Sequence, residues 1–407
     1  MKSAGRWVGA VAGCLFLAGI VAQASAQDWP QWLGAARDGK VAGFTPPAAW
    51  PKELKQVWKV SVGAGDGGAA LVGDRVYVFT RQGDDEVTLC LSAKDGNEIW
   101  RDKFPTAAIT GSDSRAHPGP RATPTVADGK VITLGVWGVL SCLDAKDGNV
   151  IWRNDKIKGT PQFHTASSPI VVDGLVIAQL GGADGAIYAF DLAKGDQKWK
   201  CDGAAPGYAS PVLLTVEGVK MIVTLTDKAV VGVAVADGKL LWQVAFPVMG
   251  RMGYNAATPI VDGTTVIYTG QGRGTHAIKV EKKGDAFTAA EEWKSDVGTV
   301  FNTPVLKDGM VYGLSDKGKL FALSAKDKGK TVWEDGGGHQ NWAAILDAGS
   351  VLMALPNNGE LIVYKPGEKF EEAAKIKVGA GTYGEPVVSG KRILVKDQDS
   401  LTMWSLE

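Results

Sequence analysis

Cysteine, histidine, net charge and long apolar runs are all scarce in this chain of 407 residues. Its 44 Lys+Arg are matched by 44 Asp+Glu, which argues against a polybasic surface for nucleic acid or anionic lipid. The four cysteines (Cys14, Cys90, Cys142, Cys201) are widely spaced, so there is no disulfide framework, zinc ribbon or haem-attachment motif. His117, His164, His276 and His339 show no metal-ligand interval, and no Ser–His–Asp assembly is suggested by spacing. The Gly-rich stretches 64–68, 181–185 and 270–274 do not open a helix after a strand, which disfavours a phosphate loop. Helix signals are few: only AAEEWK (289–294) and FEEAAKIK (370–377) suggest one. Proline is too sparse for a Pro-rich linker protein, and the glycines have no three-residue period, so collagen is excluded.

The one sustained apolar run, from Trp7 to Ala22, follows Lys2 and Arg6 and precedes the small-residue run Ala24-Ser25-Ala26. It falls short of the ~20 residues a membrane span needs and reads as a signal peptide, residues 1–26, cleaved after Ala26. Lipidation at Cys14, within VAGC, is the lesser alternative. The expected location is periplasmic or secreted, with no transmembrane segment in the mature chain. Cys90 and Cys142 stand at equivalent points of two similar segments and read as small buried residues.

What is abundant is glycine (53) and tryptophan (14), and both recur in register. The segments LSAKDGNEIWR (91–101), LDAKDGNVIWR (143–153), FDLAKGDQKWK (190–200), VAVADGKLLWQ (233–243) and LSAKDKGKTVWE (323–334) each place a Gly four residues before a Trp. A sixth copy stretches from Gly284 to Trp293, and Trp58 holds the same position without its turn. Trp58, Trp100, Trp152, Trp199, Trp242, Trp293 and Trp333 lie 40 to 52 residues apart, a spacing typical of propellers and solenoids. Between them runs a second element, small-Pro-apolar-apolar followed by a Gly turn, as in ATPTVADGKVITLG (122–135) and SSPIVVDGLVIAQL (167–180). Each is a hairpin signal. With the strand before the Lys-Asp-Gly turn and the strand carrying Trp, every unit has four antiparallel strands.

Eight such units predict an all-β fold, an eight-bladed β-propeller over residues 56–407. Residues 56–62 supply the outer strand that SLTMWSLE at the C-terminus lacks, so the last blade is closed by an N-terminal strand and no edge is left open. Residues 27–55, with Trp29, Trp32 and Trp50, are expected to pack as an extended segment across the outside or base of the propeller.

The Ala-x-Asp-Gly-x-x-x-Trp pattern resembles the tryptophan-docking repeat of the pyrroloquinoline-quinone (PQQ) propellers, over residues 56–406. WPQWLGAARDGKV (29–41) and GPRATPTVADGKV (119–131) are also similar to exported bacterial PQQ-like repeat proteins. The superfamily holds both quinoprotein dehydrogenases and the non-catalytic propeller of the outer-membrane assembly machine. The catalytic branch implies PQQ and Ca²⁺ on the axis against a vicinal Cys-Cys pair, and this chain has no adjacent cysteines. The Asp four residues before Gly is kept only at Asp144 and Asp191, and Ala374 stands near the seventh blade's Trp position.

Residues just before each small-Pro element converge on one axial funnel. Around the ring these are Asp66, Arg121, His164, Tyr208, Tyr254 with Asn255, Asn302, Asn341 with Trp342, and Tyr383 with Glu385. Arg121, His164, Tyr208, Asn255, Asn302, Asn341, Trp342, Tyr383 and Glu385 are the candidate binding residues, a set suited to a small planar or anionic ligand. Of the Trp residues outside the repeat, Trp342 alone is expected at the funnel. The loop 110–121 is long enough to overhang it. The favoured expectation is a monomeric, non-catalytic module that binds a protein partner in the cell envelope or a small ligand, with no cofactor. The alternative is a PQQ- and Ca-dependent alcohol or sugar dehydrogenase.

Overall fold

A computed structural model describes Met1 and residues 28–109, 116–250, 253–381 and 383–407. The segment read as a signal peptide, with Cys14, lies outside them. The described residues form 32 strands in eight four-stranded antiparallel sheets, and none is α-helical. Seven sheets are built from consecutive strands, innermost first. The eighth takes its three inner strands from the C-terminus and its outer strand, Lys55–Ser61, from the N-terminus. That strand pairs with Ser400–Ser405, from Lys55 opposite Ser405 to Ser61 opposite Ser400.

The two helix-like stretches are outer strands, Ala286–Ser295 and Glu372–Lys377. Propensity yields there because each stretch has a waiting partner: Gly274–Lys283 offers ladder bonds along its whole length, and Trp293 buries one face.

The Gly/Trp repeat joins neighbouring blades. Trp58, Trp100, Trp152 and Trp199 each donate their indole N–H to a backbone carbonyl of the next blade, at Ala93, Ala145, Leu192 and Val235, over 2.9–3.2 Å. The turn glycine has two tasks. Gly148 takes φ 78°, and a Cβ there would sit 2.5 Å from Cε3 of Trp100 on the preceding blade. A side chain at that point is therefore excluded both by backbone conformation and by the neighbouring indole. Blade seven has Ala374 in place of Trp; Trp404 of blade eight donates instead to Val378 O at 3.0 Å. Cys90, Cys142 and Cys201 are free and buried.

The inner ends of the blades are laced by hydroxyls. Gly68 N donates to Thr123 Oγ1, Thr123 N to Ser168 Oγ, Ser168 N to Ser210 Oγ, and Thr258 N to Thr303 Oγ1, each at 2.9–3.0 Å. At these four joints the Ser/Thr of the small-Pro element thus holds one blade's entry to the preceding one.

Residues 28–41 enter the axis. Asp28 caps the first inner hairpin through Gly73 N, and Trp29 exchanges two backbone bonds with Leu71. The segment then touches one blade after another. Val126 N donates to Pro30 O, and Trp32 Nε1 donates to Thr258 Oγ1. Leu33 N donates to Glu385, and Arg37 donates to the carbonyls of Ser168, Pro169 and Pro211. Gly39 lies against Val305, and the chain leaves through paired bonds between Gly39, Val41 and Asp347. Arg37 draws it inward: three carbonyl groups left over at the starts of the inner strands converge on one guanidinium. Residues 42–54 continue outward, where Phe44 stacks on Trp50.

Candidate functional site

On the side of the axis where the inner strands begin, the ring opens into a cup of about 280 Å³, lined by Arg121, Tyr208, Tyr254, Trp342 and Tyr383 together with Asp66, His117, Phe163, Phe301 and Trp32. The blade entries carry these side chains inward because the small-Pro element that follows is fixed by the hydroxyl lacing. Trp32 of the axial segment belongs to this lining, so Trp342 is not the sole outlying tryptophan at the funnel.

One side of the cup is an aromatic arc. Tyr208, Phe163, Tyr254, Phe301 and Tyr383 follow one another at ring-centroid distances of 5.8–6.1 Å, and Trp342 joins Tyr383 at 5.5 Å. The other side is polar. His117 Nδ1 meets Asp66 Oδ2 at 2.8 Å, and Arg121 donates to His117 O at 3.1 Å. Arg121 Nη1 is buried without a partner, and burial lowers the guanidinium's pKa against the charge of Asp66. Burial raises the phenols of Tyr208 and Tyr254, keeping both neutral. Of the loop 110–121, residues 110–115 lie outside the described residues, and its end brings in His117 and Arg121.

The remaining candidates lie away from the cup lining. Asn255 is buried, its amide donating to Thr226 O and Phe246 O while its oxygen accepts from Arg273. Asn302 is buried and donates to Leu314 O. Each ties a blade entry to its own neighbourhood. Asn341 is exposed. His164 is buried against Trp137 at 4.5 Å, and burial together with Arg121 lowers its pKa. Glu385 lies deeper, accepting from Leu33 N. Burial pushes its carboxyl up to about 8, against the pull of the Leu33 N–H, the Trp29 indole and Arg37. It is part of the floor's framework.

Phe163, Phe301 and His117 were not singled out from the sequence. Phe163 and Phe301 precede His164 and Asn302 by one residue, so the residue facing the axis is one position earlier there.

Comparison with known proteins places this geometry. Over 366 residues the chain is 22% identical to the outer membrane protein assembly factor BamB of Moranella endobia, covering 84% of this chain and 87% of that protein. Its fold superposes on the crystal structure of BamB from Moraxella catarrhalis with a TM-score of 0.63 at 15% identity, over 86% of this chain and 97% of the other. The quinohemoprotein alcohol dehydrogenase of Comamonas testosteroni gives a TM-score of 0.66 at 14% identity, over 93% and 80% respectively, a likeness of fold. The family model described as outer membrane protein assembly factor BamB matches residues 48–183 and 114–335, which is most of the propeller, and the chain belongs to that family.

Proposed function

We propose that the protein is an exported, non-catalytic propeller that serves as a binding or scaffold module in the cell envelope, engaging its partner or ligand at the axial cup. The observation that carries this is the cup itself: a blind aromatic bowl whose floor is the protein's own N-terminal segment. The relatives named as outer-membrane assembly factors supply the setting.

The PQQ and Ca²⁺ of the catalytic branch do not fit these residues. Ca²⁺ takes six to eight oxygen ligands. The cup's carboxylate, Asp66, is held by His117. Glu385 is sealed under Leu33, the Asn255 oxygen accepts from Arg273, and Asn302 is buried outside the cup lining. Among the described residues no three His, Cys, Asp or Glu side chains form a cluster able to hold a metal. Buried Arg121, already beside Asp66, is the cation that faces a ligand bearing several carboxylates.

A photo-crosslinking amino acid at position 254 tests the reading in intact cells. It should capture an envelope protein, whereas the same group on the exposed turn at position 83 should not. Purified protein given PQQ and Ca²⁺ should show no thermal shift and no dye reduction with alcohols or sugars. Turnover in that assay would overturn the non-catalytic reading.

A further inference from the structure

The two sides of the cup differ in what they have left to offer. On the aromatic side the hydroxyl oxygens accept from the protein itself and keep only their protons to donate: Tyr208 Oη accepts from Phe163 N, Tyr383 Oη accepts from Asn357, and the hydroxyls of Ser168 and Ser210 accept from backbone N–H groups. The indole N–H of Trp32 is spent on Thr258. That side presents mainly ring surface, with hydroxyl donors at its edge. The polar side presents both kinds of hydrogen-bonding group. Arg121 is a pure donor with one nitrogen unpartnered, and Asp66 is a pure acceptor. His117 Nδ1 is engaged with Asp66, which leaves Nε2 as a further polar atom of this edge. Arg121 and Asp66 also cancel in charge, which favours neither an anion nor a cation.

We propose that the cup binds a neutral saccharide, with the C–H face of one pyranose ring on the aromatic arc and its hydroxyl edge on Asp66, His117 and Arg121. This rests on the reading of the protein as a non-catalytic binding module and names the ligand class of the same site. A pyranose has the required two-sidedness. Its C–H bonds are weakly positive and meet the negative faces of aromatic rings, while each hydroxyl both donates and accepts, matching a rim that mixes donors with acceptors. A purely aromatic ligand leaves the Asp66–His117–Arg121 edge unmatched, and a carboxylate meets Asp66 as well as Arg121. The volume of about 280 Å³ is at the lower end for a small-molecule site, the scale of one or two sugar rings.

The test is titration of the full mature protein with methyl glucoside, N-acetylglucosamine and cellobiose, with naphthoate as the flat anionic comparator, followed by calorimetry and tryptophan fluorescence. Saturable binding of at least one saccharide, tighter than naphthoate, is expected. Tyr254→Ala removes one ring of the arc and should weaken binding by roughly tenfold. Asp66→Asn should weaken it as well, and the melting temperature of Tyr254→Ala should stay at the wild-type value. Failure of all three saccharides to saturate, tighter binding of naphthoate, or a Tyr254→Ala variant that binds normally would each overturn the proposal. If the sugars fail while crosslinking from position 254 still captures an envelope protein, the saccharide assignment is lost and the binding-module reading stands. Sugar oxidation in the presence of PQQ and Ca²⁺ would instead remove the non-catalytic reading.

Discussion

Replacing Glu385 with glutamine should make the protein's stability less sensitive to pH. Glu385 is 1% exposed, and burial raises its carboxyl from 4.5 to about 8. Arg37, equally sequestered in the axis, is lowered by burial to about 9, with the charge of Glu385 partly offsetting this. Between pH 4.5 and 8 the folded protein keeps a proton on Glu385 that the unfolded chain has released. Stability contributed by that proton is therefore full below 4.5 and is lost as pH rises toward about 8, at up to ~1.4 kcal/mol per pH unit. Across this window the loss reaches an upper limit of ~5 kcal/mol. In the Glu385→Gln variant the side-chain amide keeps an acceptor for Leu33 N and cannot ionise. The variant should match the wild type near the acid end of the window and outlast it increasingly toward the alkaline end. Urea unfolding followed by tryptophan fluorescence at matched pH values measures the difference. A gap between the two proteins that is constant with pH, or one that favours the wild type as pH rises, would refute the linkage.

Two further outcomes follow from the blade joints. Gly148→Ala forces a Cβ toward the Trp100 indole in a left-handed backbone, and should cost ~1–3 kcal/mol by overpacking, read as a lower melting temperature. Trp58→Ala removes the indole that ties the closing strand to Ala93 of blade one, and should cost ~3–5 kcal/mol. Hydrogen exchange should then accelerate in Lys55–Ser61 and Ser400–Ser405 before other blades; uniform acceleration around the ring would count against the closing blade as the weak joint.

The blades were legible in the sequence because each is written several times. A Gly four residues before a Trp, repeated at near-constant spacing, averages out local exceptions such as Ala374, and a lone outer strand at 56–62 implied its partner at the other terminus. The axial segment was not legible because its contacts occur once each. Nothing periodic marks Arg37 as the residue that gathers the carbonyls of blades three and four, so residues 28–41 enter the axis where an outer or basal position was expected. The cup stood in between. The phase of the small-Pro elements located Arg121, Tyr208, Tyr254, Trp342 and Tyr383, but it could not tell a polar residue facing solvent from one serving its own backbone. Asn255 and Asn302 turned to carbonyls stranded by the blade-entry loops, because an amide has donors to give and those carbonyls had no strand partner.

The segment at residues 28–41 also bears on the order in which the molecule can be assembled. It binds Leu71 near the start of the chain, Glu385 near the end, and strands of the blades between. Its complete seat does not exist until the last blade is in place, so these early residues of the chain are among the last to settle. Single blades can form locally as they emerge, but the ring becomes one cooperative unit only when both ends of the sequence are present. A chain stalled before residue 385 would carry an axial segment that lacks its Glu385 anchor and the closing blade behind it, and that intermediate is the one a folding factor or protease would meet.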